Sequence, residues 1–469
     1  MNPKSSQKKK ARYSFRLPAK LPSSLADNII NPAWKKLVVS IENQEVENVL
    51  TLIQDIFRIG KATCLPHPFL KNTSTYATMN IRAGMFNFIF FIDADGKNPW
   101  ILGQCTSFVD AIFSKQYTGK HKLSTNDAVI LSSAKKLFEH KNKIDAKKFS
   151  GGKAIFSGYL LDQGRPYHHF YDQLKWLLHL QTKRIICCDK SFFVPSNFKI
   201  QDVKQDKSGQ FSSFPLVIGS NQLGNRLDQY TDQMEKIVCK DSLKSMKNGM
   251  LSHLSNKFMN IIMRRTSKRK NRELVLWFGI SGQKRIWVEQ EDFLPNLVEQ
   301  LKPWFDSFVF LIDGFTQYED KSHVPITGSK EIPINQDLEV VESIRRKLLP
   351  FSNVSVLSLV GKTYRNKIQR CQAADFFIAN AGAGQLVPHR FCKKPGILHS
   401  NEKHCVFQMG INNTTVKLVD KTLVNDVGNL FAKDKKTERS GTGLISYSIN
   451  VQIIINMVID MLELREKQL

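Results

Sequence analysis

Ala373-Ala374-Asp375-Phe376-Phe377-Ile378-Ala379-Asn380-Ala381-Gly382-Ala383-Gly384-Gln385 is the stretch that decides the fold. An apolar run of strand length, 375–379, ends in a glycine-rich loop and passes into the next helical pattern. Glycines at such a place let backbone N–H groups approach a phosphate, and a helix N-terminus favours negative charge, so Gly382, Ala383, Gly384 and Gln385 form a candidate anion cradle. The same loop also reads as a tight turn that needs positive φ. No Gly-Lys-Ser/Thr follows the glycines, which excludes a P-loop.

Working outward, strand-length apolar runs alternate with amphipathic segments from residue 273 onward. Strands are expected at 274–280, 307–312, 354–359, 375–379 and 396–399, and helices at 290–305, 336–349 and 364–373. Such βαβ alternation implies right-handed crossovers and a parallel sheet covered on both faces. The N-terminal half is less regular, with strands expected at 37–40, 86–92, 154–161, 184–188 and 216–219 and a helix at 167–181. An amphipathic segment, 225–263, leads into a basic loop, and a last helix is expected at 446–465.

A chain of 469 residues exceeds the size at which one core usually stops growing, so two domains are expected. The reading is an α/β chain of two Rossmann-like lobes meeting at an interlobe cleft. It divides into a basic tail at 1–30, an N-terminal acceptor lobe at 31–265 and a C-terminal nucleotide-binding lobe at 266–469. Hydrophobic residues at 42% and charged residues at 23% exclude a fibrous or largely disordered chain. No apolar run approaches the roughly 20 residues of a membrane span, and the N-terminus lacks a signal-peptide core, so the cytoplasm is the expected location. Eight scattered cysteines without a C-x-x-C pair read as reduced thiols rather than as a zinc site or disulfide framework.

Lysine and arginine number 68 against 42 carboxylates, a formal charge of +26 that must attract an anionic partner. The basic residues cluster at Lys4 to Arg12 and again at Arg264, Arg265, Lys268, Arg269, Lys270 and Arg272. Few aromatics interleave with them and no nucleic-acid module is visible, so specific nucleic-acid binding is not expected.

Two further segments could carry chemistry. Around Tyr167-His168-His169-Phe170-Tyr171-Asp172, either histidine can share a helix face with Asp172, at i, i+4 or i, i+3, and an imidazole–carboxylate pair suits deprotonation of a hydroxyl. The alternative is a surface histidine pair with a carboxylate complementing the helix dipole. Asp93-Ala94-Asp95-Gly96 ends an apolar run in a D-x-D that could hold a divalent metal and a sugar diphosphate, or could simply be a turn. Asp313-Gly314 reads as a strand-end turn.

Three segments, in order, resemble the glycosyltransferase family that contains plant xylan arabinosyl- and xylosyltransferases and the animal EGF-domain O-GlcNAc transferase. His169-Phe170-Tyr171-Asp172 is similar to its H-F-x-D element, and Lys284-Arg285-Ile286-Trp287-Val288-Glu289 to its R-R-I-x-N-E element. Ala373 to Gly384 is similar to its A-D-x-x-I-G-x-H-G-A-G signature, with Pro395-Gly396 matching the Pro-Gly that follows. The resemblance runs across residues 158–400. The family's histidine before G-A-G falls on Ala381, and its asparagine before the glutamate falls on Val288.

That resemblance implies a GT-B fold and an inverting, metal-independent transfer of sugar from a nucleotide-sugar donor, UDP-linked, to a glycan hydroxyl. The nucleotide sugar is a co-substrate and no other cofactor is implied. By the same resemblance Asp172 is the base or orients it, His169 is its partner, and Lys284 and Arg285 hold the diphosphate with Gly382, Ala383, Gly384 and Gln385. Bacterial surface polysaccharide assembly (capsule or lipopolysaccharide) is the expected setting. A lipid-linked acceptor and the anionic inner face of the cytoplasmic membrane would then use the basic surface. The rival readings are a metal-dependent transferase using Asp93 and Asp95 and a nucleic-acid-binding protein using the basic loop.

Overall fold

The computed structural model describes residues 17–84, 86–124, 126–139, 153–161, 165–180, 184–187, 192–195, 199–202, 210–211, 214–217, 231–247, 272–319, 331–406, 415–430 and 444–463. The lysine-rich residues 4–12, the basic residues 264–270 and both ends of the 225–263 segment lie outside the described residues. The chain is mixed α/β with several sheets, and it divides into two compact units, Met1–Met234 and Glu235–Leu469.

The first unit opens with α1 (Leu25–Asn28), α2 (Pro32–Glu42) and α3 (Val46–Ile56). Residues 37–40, expected as a strand, lie inside α2. Trp34, Leu37, Val38 and Ile41 recur at helical period and are all buried. Asn31 caps the helix by accepting from Ala33 N at 3.1 Å and Trp34 N at 3.3 Å, and Pro32 stands in the first turn. A four-residue apolar run is ambiguous between strand and helix, and here the cap decides.

A sheet then forms from β1 (Cys64–Pro66), β2 (Ser74–Ala83), β3 (Phe86–Asp93), β4 (Trp100–Gln104), β5 (Ala111–Ser114) and β6 (Thr118–Lys120), followed by α4 (Asp127–Glu139). The six strands lie in sequence order, and every neighbour pairs antiparallel, as short connections require. The expectation of a Rossmann-like N-terminal lobe is therefore corrected for these residues, which make an antiparallel meander. The parallel part follows as β7 (Phe156–Leu161), a π-helical turn at His168–Leu174, α5 (Lys175–His179), β8 (Arg184–Cys187) and β9 (Lys199–Asp202). β10 (Gln210–Phe211) returns to pair with β2, and β11 (Phe214–Val217) completes a four-stranded parallel sheet in the order β11-β7-β8-β9.

After α6 (Thr231–Lys247) the second unit builds the alternation seen in its sequence. It comprises β12 (Glu273–Gly279), α7 (Gln290–Leu301), β13 (Ser307–Asp313), α8 (Glu331–Leu348), β14 (Val354–Ser358), α9 (Tyr364–Cys371), β15 (Phe376–Asn380), β16 (Gly396–His399) and β17 (Val416–Leu418). The strands form one parallel sheet in the order β14-β13-β12-β15-β16-β17. Leu274, Leu276 and Phe278 alternate onto a core with Phe308, Phe310 and Ile312, packed by Phe293 and Leu297 of α7 and Val341 and Ile344 of α8. Burying each such side chain contributes roughly 1.5–3 kcal/mol.

The last segment differs from the single helix expected at 446–465. β18 (Asn425–Gly428) pairs antiparallel with β19 (Ser446–Ser448), and α10 (Val451–Met461) starts only after Asn450, whose side chain accepts from Gln452 N at 2.9 Å. The backbone groups of Tyr447 are taken by Ile286 and Val288 instead of by a helical turn. Among the described residues no helix is long and apolar enough to cross a membrane.

Candidate functional site

In the six-stranded sheet the chain leaves β12 toward β13 and β14, then returns to the other side for β15, β16 and β17. The order reverses between β12 and β15, and in open parallel sheets ligands bind at the carboxyl ends of the strands at such a point. Two loops flank it: the one from Ile280 to Glu289 after β12, and the one from Ala381 to Gln385 after β15.

The structure brings Arg285 and Gly382 together there. A Cβ added at Gly382 would stand 2.9 Å from Arg285 Nη2, 3.0 Å from Nη1 and 3.2 Å from Asn380 Oδ1. Arg285 adopts a left-handed backbone, with φ of 52°. Its Nε is buried without a hydrogen-bond partner, and among the described residues no carboxylate pairs with its guanidinium. Burial lowers its pKa, opposed by Tyr447. A desolvated cation without a counter-ion is costly on its own and is satisfied by an anion. Lys284 is exposed on the same loop. His404 titrates below the ordinary histidine value, through burial first and then through the charges of Arg285 and Lys284.

The loop after β12 is held from two sides. Gln290 exchanges two hydrogen bonds with the backbone of Ser281, each 3.0 Å, and Gly282 N donates to Asp337 Oδ1 at 2.7 Å. The other oxygen of Asp337 accepts from Phe315 N at 2.6 Å, so one carboxylate ties the loops that follow β12 and β13. Burial raises Asp337 to about 6. Beside it, Lys367 is fully buried and pairs with Asp313 at 2.5 Å while donating to Gly314 O and Thr316 Oγ1. Asp313 is thus more than a strand-end turn residue.

The rest of the expected cradle is less uniform. Gly382 is buried, Ala383 exposed and Gly384 half-buried. The element they open is a 3-10 turn, Ala383–Gln385, followed by a six-residue π-helix, Leu386–Phe391, rather than a full α-helix. Gln385 turns inward and its Oε1 meets His389 Nδ1 at 3.0 Å, a contact within the fold. The sequence alone gives no separate role to Asn380, which stands just before the glycine loop, or to His399, Tyr447 and Asp337. Asn380 and His399 end strands, a position that marks binding residues in parallel sheets, whereas Tyr447 and Asp337 carry no local signal.

In the first unit, Asp172 meets His168 and not His169. His168 Nδ1 lies 2.5 Å from Asp172 Oδ2, whereas His169 is fully buried and its Nε2 donates to Phe193 O at 2.7 Å. The expected His169–Asp172 pairing is corrected accordingly: within the π-helical turn the i, i+4 partner faces the carboxylate, and the i, i+3 partner points into the core. The imidazole is the more open member, with side-chain exposure of 23% against 6% for the carboxylate.

Asp93 and Asp95 form a turn. Asp93 Oδ1 accepts from Lys97 N and Asn98 N, and Oδ2 from Asn98 Nδ2 at 2.7 Å, while Gly96 takes φ of 71°. Burial alone would raise Asp93, but these hydrogen bonds hold it below its usual value. Asp95 pairs with Lys97 in solvent. Among the described residues no group of three or more His, Cys, Asp or Glu side chains is arranged to hold a metal ion.

No protein-family model matches the chain, and neither does any curated protein. Among solved structures it is similar to the glycosyl transferase family 9 protein from Veillonella parvula DSM 2008, at 8% identity and a TM-score of 0.22. That match covers 59% of this chain and 63% of the other, so the chain spans less than two thirds of that protein's length.

Proposed function

We propose that the chain is a glycosyltransferase that binds a nucleotide-sugar donor at the switch point of its C-terminal sheet and passes the sugar to a glycan hydroxyl. The observation that carries this reading is Arg285, a part-buried cation without a carboxylate partner among the described residues, set against Gly382 where the strand order reverses. The motif resemblance, which includes Lys284-Arg285 and Gly382 to Gly384, supports the same ligand. Negative charge grows on the diphosphate as its bond to the anomeric carbon breaks. Arg285 and Lys284 would offset that charge where a divalent metal otherwise would, and one well-placed donor of this kind is worth about 3 kcal/mol.

The acceptor oxygen attacks the anomeric carbon from the opposite side, which inverts it, and its proton must go to a base. The His168–Asp172 pair supports that role: the carboxylate fixes the ring through Nδ1, and Nε2 takes the proton. The donor we propose is UDP-linked, and the acceptor a bacterial surface glycan, lipid-linked or acidic, whose charge suits the +26 balance of the chain. Calorimetric titration of UDP-, GDP-, CMP- and TDP-sugars with EDTA present tests the reading. Saturable binding that is lost in Arg285→Ala is expected, and no binding of any donor to the wild type would overturn it.

A further inference from the structure

Among the described residues, the buried polar atoms around the switch point that lack a hydrogen-bond partner include Arg285 Nε, Asn380 Oδ1 and His399 Nε2. Each belongs to a side chain tied to Tyr447 or to the loop that Tyr447 holds. Tyr447 N donates to Ile286 O and Val288 N donates to Tyr447 O, each at 3.0 Å, so its backbone clamps the loop carrying Arg285 on both sides of Trp287. Ser446 Oγ accepts from Ile286 N at 3.2 Å. The phenol oxygen of Tyr447 accepts from Asn380 Nδ2 at 3.2 Å and lies 2.8 Å from His399 Nδ1.

These bonds fix which end of the Asn380 amide faces Arg285. With Nδ2 held by Tyr447, Oδ1 borders the same point beside Gly382 as the two Nη atoms of Arg285. An acceptor without a hydrogen-bond partner and the guanidinium of an arginine that no carboxylate among the described residues pairs with therefore border one place. A fully ionised phosphate satisfies only the cation; a phosphate with a sugar hydroxyl beside it satisfies both.

We propose that Asn380, oriented by Tyr447, is a hydroxyl-accepting residue of this site, so that the site selects a phosphorylated ligand bearing a sugar hydroxyl over bare phosphate. This rests on the anion site of the proposed function and adds to it the part of the ligand that is read. Asn380 is the binding residue, and Tyr447 is a positioning residue.

The test titrates UDP-glucose and inorganic pyrophosphate into the full chain and into Tyr447→Phe, Asn380→Ala and Arg285→Ala, with thermal unfolding of each. Tyr447→Phe keeps the ring and the backbone clamp. It and Asn380→Ala should each weaken UDP-glucose about fivefold, the worth of one neutral hydrogen bond, and leave pyrophosphate unchanged. Arg285→Ala should lose both probes. A purely structural role for Tyr447 would weaken both probes alike, and that outcome, or unchanged affinity for both, overturns the inference while leaving the anion site standing. Binding of neither probe to the wild type removes the anion site and this inference with it.

Discussion

The guanidinium of Arg285 fills the space that a side chain at position 382 would need, with Nη2 2.9 Å and Nη1 3.0 Å from the Cβ that alanine would add. Gly384 has no such neighbour, its nearest being Asn380 Cβ at 3.7 Å. The close approach expected of the glycine loop therefore belongs to Gly382. In Gly382→Ala the flexible end of Arg285 can move aside, while the backbone there, φ −119° and ψ −135°, lies outside the regions an L-residue favours, so a modest loss of stability is expected beside the binding effect. The displaced cation should weaken nucleotide-sugar binding about tenfold, or 1.4 kcal/mol, whereas Gly384→Ala should bind as the wild type does. Calorimetry on both variants, with melting curves alongside, checks the contrast; equal affinities would remove Arg285 from the binding site.

Lys367 and Asp313 form an ion pair with almost no solvent exposure, at 0% and 7% for the two side chains. Lys367→Met leaves a buried carboxylate without its counter-charge and strips donors from Gly314 O and Thr316 Oγ1. Removing one partner of such a pair costs about 3–5 kcal/mol. Urea unfolding should show that loss, and Lys367→Met combined with Asp313→Asn should recover part of it. A single variant within about 0.5 kcal/mol of wild type would mean that the pair is not what holds the end of β13.

Asp337 predicts a pH dependence whose sign follows from its burial. Its folded pKa is raised to about 6 from an ordinary 3.8, so the folded chain holds this proton more tightly than the unfolded chain. The stability it contributes is full below about pH 4 and is lost as pH rises through about 6. Asp337→Asn should abolish that part of the slope, at a constant cost of about 1–3 kcal/mol for the N–H of Gly282 or Phe315 that then faces an amide donor. Lys367 and Asp313 face the same carboxylate, and half-buried Glu319, raised to about 7 by desolvation, slopes the same way, so the variant keeps a residual dependence. Parallel urea titrations from pH 4.5 to pH 7.5 measure the difference, and identical slopes would contradict the assignment.

The C-terminal sheet was legible because its central strands bury both faces, so runs such as Leu274-Val275-Leu276-Trp277-Phe278 stand out from the amphipathic segments between them. The N-terminal meander was not. β2 places Asn80 in the interior, where its amide donates to Asn87 Oδ1 at 2.6 Å and Asn87 donates to Gln104 Oε1 at 3.0 Å. Three buried amides on three strands are linked in a chain of hydrogen bonds, and each reads as a surface or turn residue until its partner is known. The site divides in the same way. Arg285 and Gly382 sit in local motifs and could be named, but Asn380 depends on Tyr447, 67 residues later in the chain.

His168 and His169 are neighbours in sequence with opposite surroundings, which makes them a matched test of the catalytic reading. His169 is buried, with its Nε2 on Phe193 O, so its loss should act on folding. His168 is part-exposed, with Nδ1 on Asp172, so its Nε2 is the atom an acceptor hydroxyl can meet. His168→Gln keeps a polar side chain of similar reach but cannot take up a proton, and should lower turnover by about 10²-fold or more with donor affinity unchanged. Asp172→Asn should lower turnover as well, because an amide can donate to Nδ1 and so favour the tautomer whose Nε2 already carries the proton and cannot take one from the acceptor hydroxyl. His169→Leu should leave the turnover of the folded fraction near wild type, while the lost hydrogen bond to Phe193 O costs about 1 kcal/mol of stability. Turnover and melting temperature of the three variants separate the roles. If His168→Gln turns over normally, the pair is structural, and the base must be sought elsewhere in the chain.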